Sequence, residues 1–568
     1  MTLQADAPTE RAPATRARRV TDGTVTARRI VGLLLVAVPL VWAWQRATPA
    51  GAELVNRGGL PLVTDLLAAA LHSAPAVDFL TVVAKATAVT LAFAALGTAG
   101  ALAIGLLGGL ALSDAAWAAT PPWPVRGLRL LIRGILVIAR SIHELVWALV
   151  FVSVLGLDPL VAVLAIAVPF GAQTAKVYGE ILDGVPAGPL RALRTAGSPP
   201  LPALAYAVLP AAAPLLLSYA FYRFECAIRS VVILGVVGVG GLGAELVVSL
   251  QSRNWDEVWT LVAAVLLLSA AVDLWSGRVR GDLAVVTCTD WSGGRTAGAA
   301  PRTARWARWS AAVAVPGLVV AWLATDLSWA GLTSARTRDL TRRLLADMWP
   351  PTLPPGGWPA LAGAVPDTVA MAILAMAVAV VLTVAIGPWA TRPPSASTGE
   401  PALRRLPRRV AWALARAALL VLRSVPPTVW AVIALLGLFP GVLPGALALG
   451  LYTGGILGRL VAEAWDGIGS RPRQALRQIG TPGWLASLAA TVPPSAHHLV
   501  TYTLYRFEIC VRDTAVVGVV GAAGLGRLLA ENLAAFRLPA VTTLLVVSAA
   551  LSTASEILGR RLTKALRA

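Results

Sequence analysis

The chain has 568 residues, of which 57% are hydrophobic and only 14% are charged, and its mean hydropathy is +0.72. Soluble domains carry roughly a quarter of charged residues, so these proportions exclude an ordinary soluble protein and indicate one that crosses a membrane several times. The net charge of +19 would suit a nucleic-acid-binding protein, but the arginines cluster in short segments between apolar stretches and no base-stacking motif is present, so we exclude nucleic acid as a partner.

Twelve apolar stretches follow one another along the chain. Residues 1–29 are polar and basic, and we interpret them as a cytoplasmic tail before a retained first span rather than as a signal peptide. A span needs about 20 apolar residues. In the first repeat (30–276) we therefore predict spans near 30–46, 78–111, 130–155, 158–178, 208–238 and 256–275. After an arginine- and glycine-rich cytoplasmic linker (277–307), the second repeat (308–568) predicts spans near 308–325, 365–389, 411–438, 441–461, 492–521 and 541–559.

Arginine placement predicts the orientation of these spans. Basic clusters occur at 11–29, 126–140, 187–194, 278–308, 403–416, 471–477 and 560–567, which are the two ends and every second loop. The positive-inside rule therefore places both termini in the cytoplasm of a multi-pass plasma-membrane protein. Segment 326–362 carries arginines on the external side, and we interpret it as an amphipathic helix on the outer surface. Lys176, at a span end, is expected to reach toward the membrane surface.

The two halves of the chain repeat one another. From residue 140 onward an offset of 283 aligns them without a gap, so that RSIHELVWA meets RSVPPTVWA and VVGVGGLG meets VVGAAGLG. Six spans per half give both halves the same orientation, which predicts a parallel pseudo-dimer about an axis normal to the membrane. The alternative is a pair of independent domains that share only their ancestry.

The loop between the fourth and fifth spans has the same pattern in both repeats. It reads RALRTAG, nine residues and AVLP in the first, and QALRQIG, nine residues and ATVP in the second. This resembles the EAA coupling loop of ABC-importer permeases, although Arg191 and Gln474 replace its leading glutamate. The matching positions are Ala192, Gly197, Leu209, Pro210, Ala475, Gly480 and Pro493. The resemblance implies that an ABC ATPase dimer, which uses ATP and magnesium, docks here on the cytoplasmic face. The alternative is an ordinary helix–turn–helix loop.

A charged run follows each coupling loop, inside a segment apolar enough to span the membrane. It reads YRFECAIRS at 222–230 and YRFEICVRD at 505–513, and each copy leads into a glycine-rich end. These stretches resemble the phosphonate-uptake permease family. The resemblance implies two fused type-I ABC-importer permease halves with a methionine-importer-like fold. It also implies an external substrate-binding protein that delivers the substrate.

Helical spacing divides the charges of this run into two kinds. Glu225 lies four residues before Arg229, as Glu508 does before Arg512, which is the favoured order for an intrahelical ion pair. Arg223 faces elsewhere on the helix and has no such partner. Charges within a span usually face a bundle interior or a wet cavity, and guanidinium groups bind phosphate-like oxyanions well. The candidate substrate path is therefore Tyr219, Tyr222, Arg223, Glu225, Arg229, Tyr502, Tyr505, Arg506, Glu508 and Arg512.

Two alternatives to a substrate path remain open at these positions. The Glu–Arg pairs could hold neighbouring helices together. Arg223 could pair with a carboxylate from another span, for which Glu144 is a candidate. The glycine-rich ends are expected to permit close packing and a tight turn rather than to bind a dinucleotide.

The sequence contains no signature of an enzyme or of a cofactor site. It has no phosphate-binding G-x-x-x-x-G-K-[ST] loop, the histidines have no metal-ligand spacing, and three cysteines provide no disulfide framework. Together with the twelve apolar stretches and the two resemblances, these absences lead us to predict an all-α membrane permease of about 12 spans that binds no cofactor or metal itself and contacts membrane lipid. The resemblance to the phosphonate-uptake permease family implies ATP-driven import of a phosphonate or a related small phosphorus oxyanion by alternating access. The alternative is an ion-coupled secondary transporter of a small anion that uses the buried Glu–Arg pairs.

Overall fold

The computed structural model describes residues 22–72, 76–117, 122–287, 305–392, 402–468 and 471–567. Within these residues the regular structure is helical, apart from one isolated bridge between Val55 and Leu438. The first part of the predicted tail and most of the predicted linker, including Cys288, lie outside the described residues.

The first repeat is built from helices that begin and end at recognisable signals. Asp158, for example, caps the sixth helix by accepting a hydrogen bond from the Leu160 backbone N–H at 2.8 Å, and Pro159 occupies the first helical position. The helices of this repeat are α1 Asp22–Ala47, α2 Leu60–His72, α3 Val77–Leu112, α4 Trp123–Ser141, α5 Glu144–Leu155, α6 Pro159–Asp183, α7 Ala187–Thr195, α8 Pro200–Ala207, α9 Leu209–Leu234, α10 Leu242–Gln251 and α11 Trp255–Thr287.

The second repeat follows a similar order of helices. Its helices are α12 Arg305–Ala324, α13 Ala330–Thr333, α14 Ala335–Asp347, α15 Gly357–Ala390, α16 Ala402–Ser424, α17 Pro427–Gly437, α18 Val442–Asp466, α19 Arg471–Gln478, α20 Gly483–Val519, α21 Leu525–Ala534 and α22 Leu538–Arg567. It differs from the first in that it has an additional short helix, α13, and that one long helix, α20, replaces α8 and α9. The all-α, two-repeat architecture predicted from the sequence is confirmed.

Each predicted span coincides with a helix or with a pair of helices. By length and composition, seven helices of the described chain can cross a membrane, namely α3, α6, α11, α12, α15, α18 and α22. Three further spans arise if the bent pairs α4–α5, α8–α9 and α16–α17 each count as one, which makes up to ten. The remaining two predicted spans are α1, whose apolar part covers only Leu34–Ala47, and α20, which carries the charged run.

The third span of each repeat is broken in the middle. The axes of α4 and α5 differ by 98°, and those of α16 and α17 by 88°, so each predicted third span is two helices rather than one. His143 begins α5 by accepting the Leu145 backbone N–H on its Nδ1 at 3.1 Å, and Pro426 precedes α17 in an extended conformation. Non-helical backbone at this depth is tolerated where protein surrounds it. The breaks therefore mark the protein interior rather than the lipid-facing surface.

The two repeats exchange their first helices. In one direction α1 packs on α15, where Ala43 and Ala47 share an apolar core with Ala372 and Arg46 Nη2 lies 3.0 Å from Asp367 Oδ1. In the other direction α12 packs on α3, and Trp322 joins the core of the first repeat. The repeats are interlocked rather than simply placed side by side.

The arginine-containing segment after α12 lies at the end of the bundle opposite the coupling loops. A Cβ on Gly331 would lie 3.8 Å from Asp158 Oδ2 at the start of α6, whereas α6 ends beside α7. The helix α14 packs on α5 and α22, and the Thr352 backbone N–H donates to Pro539 at 3.2 Å. The alternation of basic and non-basic loops along the sequence predicts that this segment and the coupling loops lie at opposite ends, as they do here.

Candidate functional site

A polar cavity of about 170 Å³ lies between the two repeats. Its walls come from α5, α6, α9 and α11 of the first repeat and from α17, α18 and α20 of the second, with Arg423 contributed by the end of α16. Seven of the ten predicted path residues line it, namely Tyr222, Arg223, Glu225, Arg229, Tyr505, Arg506 and Arg512. The other three, Tyr219, Tyr502 and Glu508, do not line the cavity. Tyr219 packs between Tyr178 and Tyr222, and Tyr502 packs on the apolar core of the second repeat.

Arg223 and Arg506 occupy equivalent positions in this wall and are 5% and 6% exposed. Arg223 donates to Gln173 Oε1 at 2.6 Å and lies 4.0 Å from the centroid of the Phe170 ring, whereas Arg506 donates to Thr453 Oγ1 at 3.5 Å. Among the described residues neither guanidinium lies within 4.0 Å of a carboxylate, and neither Nε has a hydrogen-bond partner.

A buried charge without a counter-ion is costly, so two such groups facing one cavity suit an anionic occupant. Glu144, the carboxylate considered for Arg223, instead accepts a hydrogen bond from Ser230 Oγ at 2.6 Å.

In the first repeat the predicted ion pair forms and belongs to a larger network. Arg229 Nη2 lies 3.1 Å from Glu225 Oε1, and Arg423 and Arg459 of the second repeat reach the same oxygen at 3.2 and 3.4 Å. Both of these arginines also bind Asp273, with Arg423 Nη2 at 2.9 Å. The network therefore joins the two repeats, and the helical spacing identified only one of its pairs.

In the second repeat the equivalent pair does not form. The Glu508 carboxylate and the Arg512 guanidinium lie more than 4.0 Å apart, and Arg512 Nη1 donates instead to the Arg140 carbonyl. Glu556 takes the central place, because its carboxylate lies 2.9 Å from both Arg140 and Lys176 of the first repeat. Lys176 thus binds a buried carboxylate rather than reaching the membrane surface.

The second network was recognisable from the repeat itself. The offset of 283 that aligns the halves pairs Arg140 with Arg423, Lys176 with Arg459, and Asp273 with Glu556. Each pair keeps the sign of its charge, so applying the offset to every charged residue in the spans finds both networks. Intrahelical spacing could not, since the partners belong to different repeats.

Three polar residues of the cavity differ in chemical type from the residues at the equivalent positions of the other repeat. We call His143, Glu144 and Asp513 the acceptor cluster. His143 Nε2 lies 3.4 Å from Glu144 Oε2 and 3.5 Å from Asp513 Oδ1. The equivalent positions hold Pro426, Pro427 and Ser230. The two repeats therefore contribute different side chains at equivalent positions of the cavity lining.

The coupling loops have the same backbone geometry in both repeats. Gly197 and Gly480 adopt left-handed conformations, with φ of +86° and +87°, and no atom lies within 4 Å of a Cβ built on either. The following residue closes the turn in each case, from Ser198 N–H to Leu193 at 3.0 Å and from Thr481 N–H to Leu476 at 3.1 Å. This is the usual end of a helix at glycine.

The helices on either side of this turn differ between the repeats. Ala192 and Ala475 are exposed on α7 and α19. After the turn, the first repeat has α8 and then a 67° bend before Leu209 and Pro210 begin α9. In the second repeat α20 starts at Gly483 and runs through Pro493 without such a break.

The chain is similar to several known proteins. A family described as "Binding-protein-dependent transport system inner membrane component" matches residues 115–280 and 399–568. The phosphate-import permease protein PhnE of Mycolicibacterium smegmatis is 29% identical over 445 residues, which cover 78% of each chain. The putative phosphite transport system permease protein HtxC of Stutzerimonas stutzeri is 33% identical over 206 residues, which cover 36% of this chain and 71% of that one. A solved structure of the MetNI methionine ABC transporter aligns with a TM-score of 0.32 and 21% identity over 37% of this chain and 96% of that one.

Proposed function

Because the chain belongs to the family of binding-protein-dependent transport system inner membrane components, which matches it once in each repeat, we propose that it forms the whole membrane path of an ATP-driven importer for a small phosphorus oxyanion. The chain is a permease and not an enzyme, and a separate subunit hydrolyses ATP. Phosphate, phosphite and phosphonates are the substrates that we propose, since relatives are named for phosphate import, phosphite transport and phosphonate transport.

The observation that carries this proposal is the pair Arg223 and Arg506. The two residues are equivalent in the repeat, buried in the wall of one cavity, and not ion-paired within the described chain. Guanidinium groups in this state bind a tetrahedral oxyanion through charge-assisted hydrogen bonds. Tyr222 and Tyr505 line the same cavity.

We propose that the ATPase dimer docks on the two coupling loops. The exposed faces around Ala192 and Ala475 lie at one end of the bundle, and this end and both termini would face the cytoplasm. A substrate-binding protein would deliver the oxyanion at the opposite end. ATP and magnesium would be bound by the ATPase, whose closure would move the repeats about their shared cavity.

The test is uptake by the full transporter, with this chain produced together with its ATPase and binding protein. We expect Arg223→Gln and Arg506→Gln each to lower phosphate, phosphite or methylphosphonate uptake about tenfold or more, because a hydrogen bond to a charged group contributes about 1.5–3 kcal/mol. Arg338→Gln, on the exposed surface of α14, is the matched control and should not change uptake.

Two results would contradict the proposal. Full uptake of all three anions by the double arginine variant would remove these side chains from the path. Uptake that persists without ATP and follows a proton gradient would instead support an ion-coupled transporter.

A further inference from the structure

The acceptor cluster has more hydrogen-bond acceptors than donors. His143 Nδ1 accepts the Leu145 N–H at 3.1 Å, so the ring proton lies on Nε2. That single N–H faces two carboxylates, Glu144 at 3.4 Å and Asp513 at 3.5 Å. Glu144 gains a second donor from Ser230, at 2.6 Å. No side chain or backbone group of the described chain donates a hydrogen bond to Asp513, which is 8% exposed and lines the cavity.

A positive group lies at the same level of the cavity. Arg512, next to Asp513 on α20, lines the same wall, lies within 4.0 Å of no carboxylate of the described chain, and has an unpartnered Nε. This level of α20 lies six to seven residues, or about 10 Å, beyond Arg506 in the direction away from the coupling loops. A substrate that enters from the outer end therefore meets the acceptor cluster before it meets Arg223 and Arg506.

We infer that the acceptor cluster recognises the hydroxyl group of a protonated oxyanion, and that Asp513 makes the path selective for phosphorus oxyanions over sulfate. This inference rests on the proposed function. Phosphate keeps a P–OH group throughout the neutral pH range, and phosphite and phosphonates keep one in their monoanions, whereas sulfate has no proton to donate. A P–OH donates to the Asp513 carboxylate while the remaining oxygens accept from Arg512. Sulfate places a bare oxygen against that carboxylate, which leaves an acceptor facing an acceptor.

The asymmetry of the repeats suits a ligand with a single donor. Ser230 takes the position of Asp513 in the first repeat, and Pro426 and Pro427 take those of His143 and Glu144. At this level the lining therefore contains the carboxylates of Glu144 and Asp513, whereas the positions equivalent to them contain none. A tetrahedral ion with one hydroxyl and several anionic oxygens has the complementary arrangement.

The experiment measures binding of radiolabelled inorganic phosphate and sulfate to the full-length chain in lipid nanodiscs at neutral pH. We expect the wild type to bind phosphate at least tenfold more tightly than sulfate. Asp513→Asn keeps the size of the side chain but adds an N–H donor, so sulfate should gain affinity, phosphate should lose it, and the preference should fall about tenfold. Asp513→Ser, which copies the equivalent residue Ser230, should also lose the preference. Asp339→Asn, on exposed α14, should keep it.

The outcomes separate this inference from the proposed function. Arg506→Gln should weaken both anions together, because that arginine contacts oxyanions of either kind. Equal binding of phosphate and sulfate by the wild type, or a preference that survives in both Asp513 variants, overturns the inference alone. If the wild type binds neither anion saturably, the inference and the arginine site both fail.

Discussion

At the scale of single residues, two equivalent glutamates have different surroundings. Glu225 lies within 4.0 Å of four guanidinium groups, from Arg229, Arg280, Arg423 and Arg459. Glu508 lies within 4.0 Å of no cation in the described chain, and Glu556 carries the corresponding contacts. The same sequence pattern, E-x-x-x-R, therefore forms a buried ion pair in the first repeat, whereas its two side chains form no ion pair with each other in the described second repeat.

This difference predicts unequal effects on stability. Glu225→Gln removes the carboxylate from a buried network, and breaking such a network costs about 3–5 kcal/mol of the free energy of unfolding. Glu508→Gln breaks no ion pair and should cost about 1 kcal/mol or less. The thermal midpoint of the purified chain in nanodiscs measures both. Equal shifts for the two variants would contradict a network centred on Glu225.

The sequence predicted which residues line the cavity better than it predicted which residues form ion pairs with them. The charged run named seven lining residues, because charges within an apolar span must face the interior. It missed Asp273, Arg423, Arg459 and Glu556, whose contacts cross between repeats. Helical periodicity describes one helix at a time, so contacts between helices distant in sequence do not follow from it.

At the scale of elements, the coupling turn depends on backbone conformation rather than on space. A Cβ on Gly197 or Gly480 would touch nothing within 4 Å, but both glycines have positive φ. The left-handed region is unfavourable for β-branched residues, whereas asparagine tolerates it. The positive φ at Gly197 and Gly480, rather than lack of space, therefore limits which residues these two positions accept.

A pair of double variants tests this turn. Changing Gly197 and Gly480 to Val should distort both coupling loops and lower substrate uptake per ATP hydrolysed about fivefold or more, because a left-handed residue with a Cβ costs about 1–2 kcal/mol. The corresponding change to Asn should keep most of the coupling. Simultaneous measurement of ATPase activity and uptake in proteoliposomes checks this. Normal coupling in the Val variant would show that the turn does not transmit motion.

Helix positions were predictable from apolar length, whereas helix breaks were not. The predicted third spans continue through residues 141–144 and 424–427, where the structure turns by 98° and 88°. The signals are present as His143 and as the prolines Pro426 and Pro427, since proline favours an extended conformation before it. The hydropathy on both sides stays high, so apolar length alone joins the two helices.

At the scale of the whole molecule, the exchange of first helices makes each repeat incomplete alone. The helix α1 covers α15, and α12 covers α3. The buried networks around Asp273 and Glu556 also take their acidic and basic members from different repeats. Apolar packing and ion pairing therefore both hold the repeats together.

This architecture predicts that the chain tolerates a cut between its halves. Residues 1–292 and 293–568, produced as two chains, should co-purify and support uptake. Residues 48–292 with 293–568 should give a second half that aggregates or is degraded, because loss of α1 uncovers the apolar face of α15 that contains Ala372. Size-exclusion chromatography with a tag on the second half measures the outcome. Stable recovery of that half without α1 would contradict the exchange.

Asp513 occupies the position that Ser230 holds in the first repeat, and this has an evolutionary consequence. A permease made from two identical polypeptides carries every substitution twice, so an aspartate gained there would appear on both sides of the axis, where two buried carboxylates repel. Gene fusion removes this constraint, since codons 230 and 513 mutate independently. One wall can then change its chemistry while the other retains the older residue. Laboratory evolution of altered substrate preference should accordingly collect its mutations in one repeat at a time.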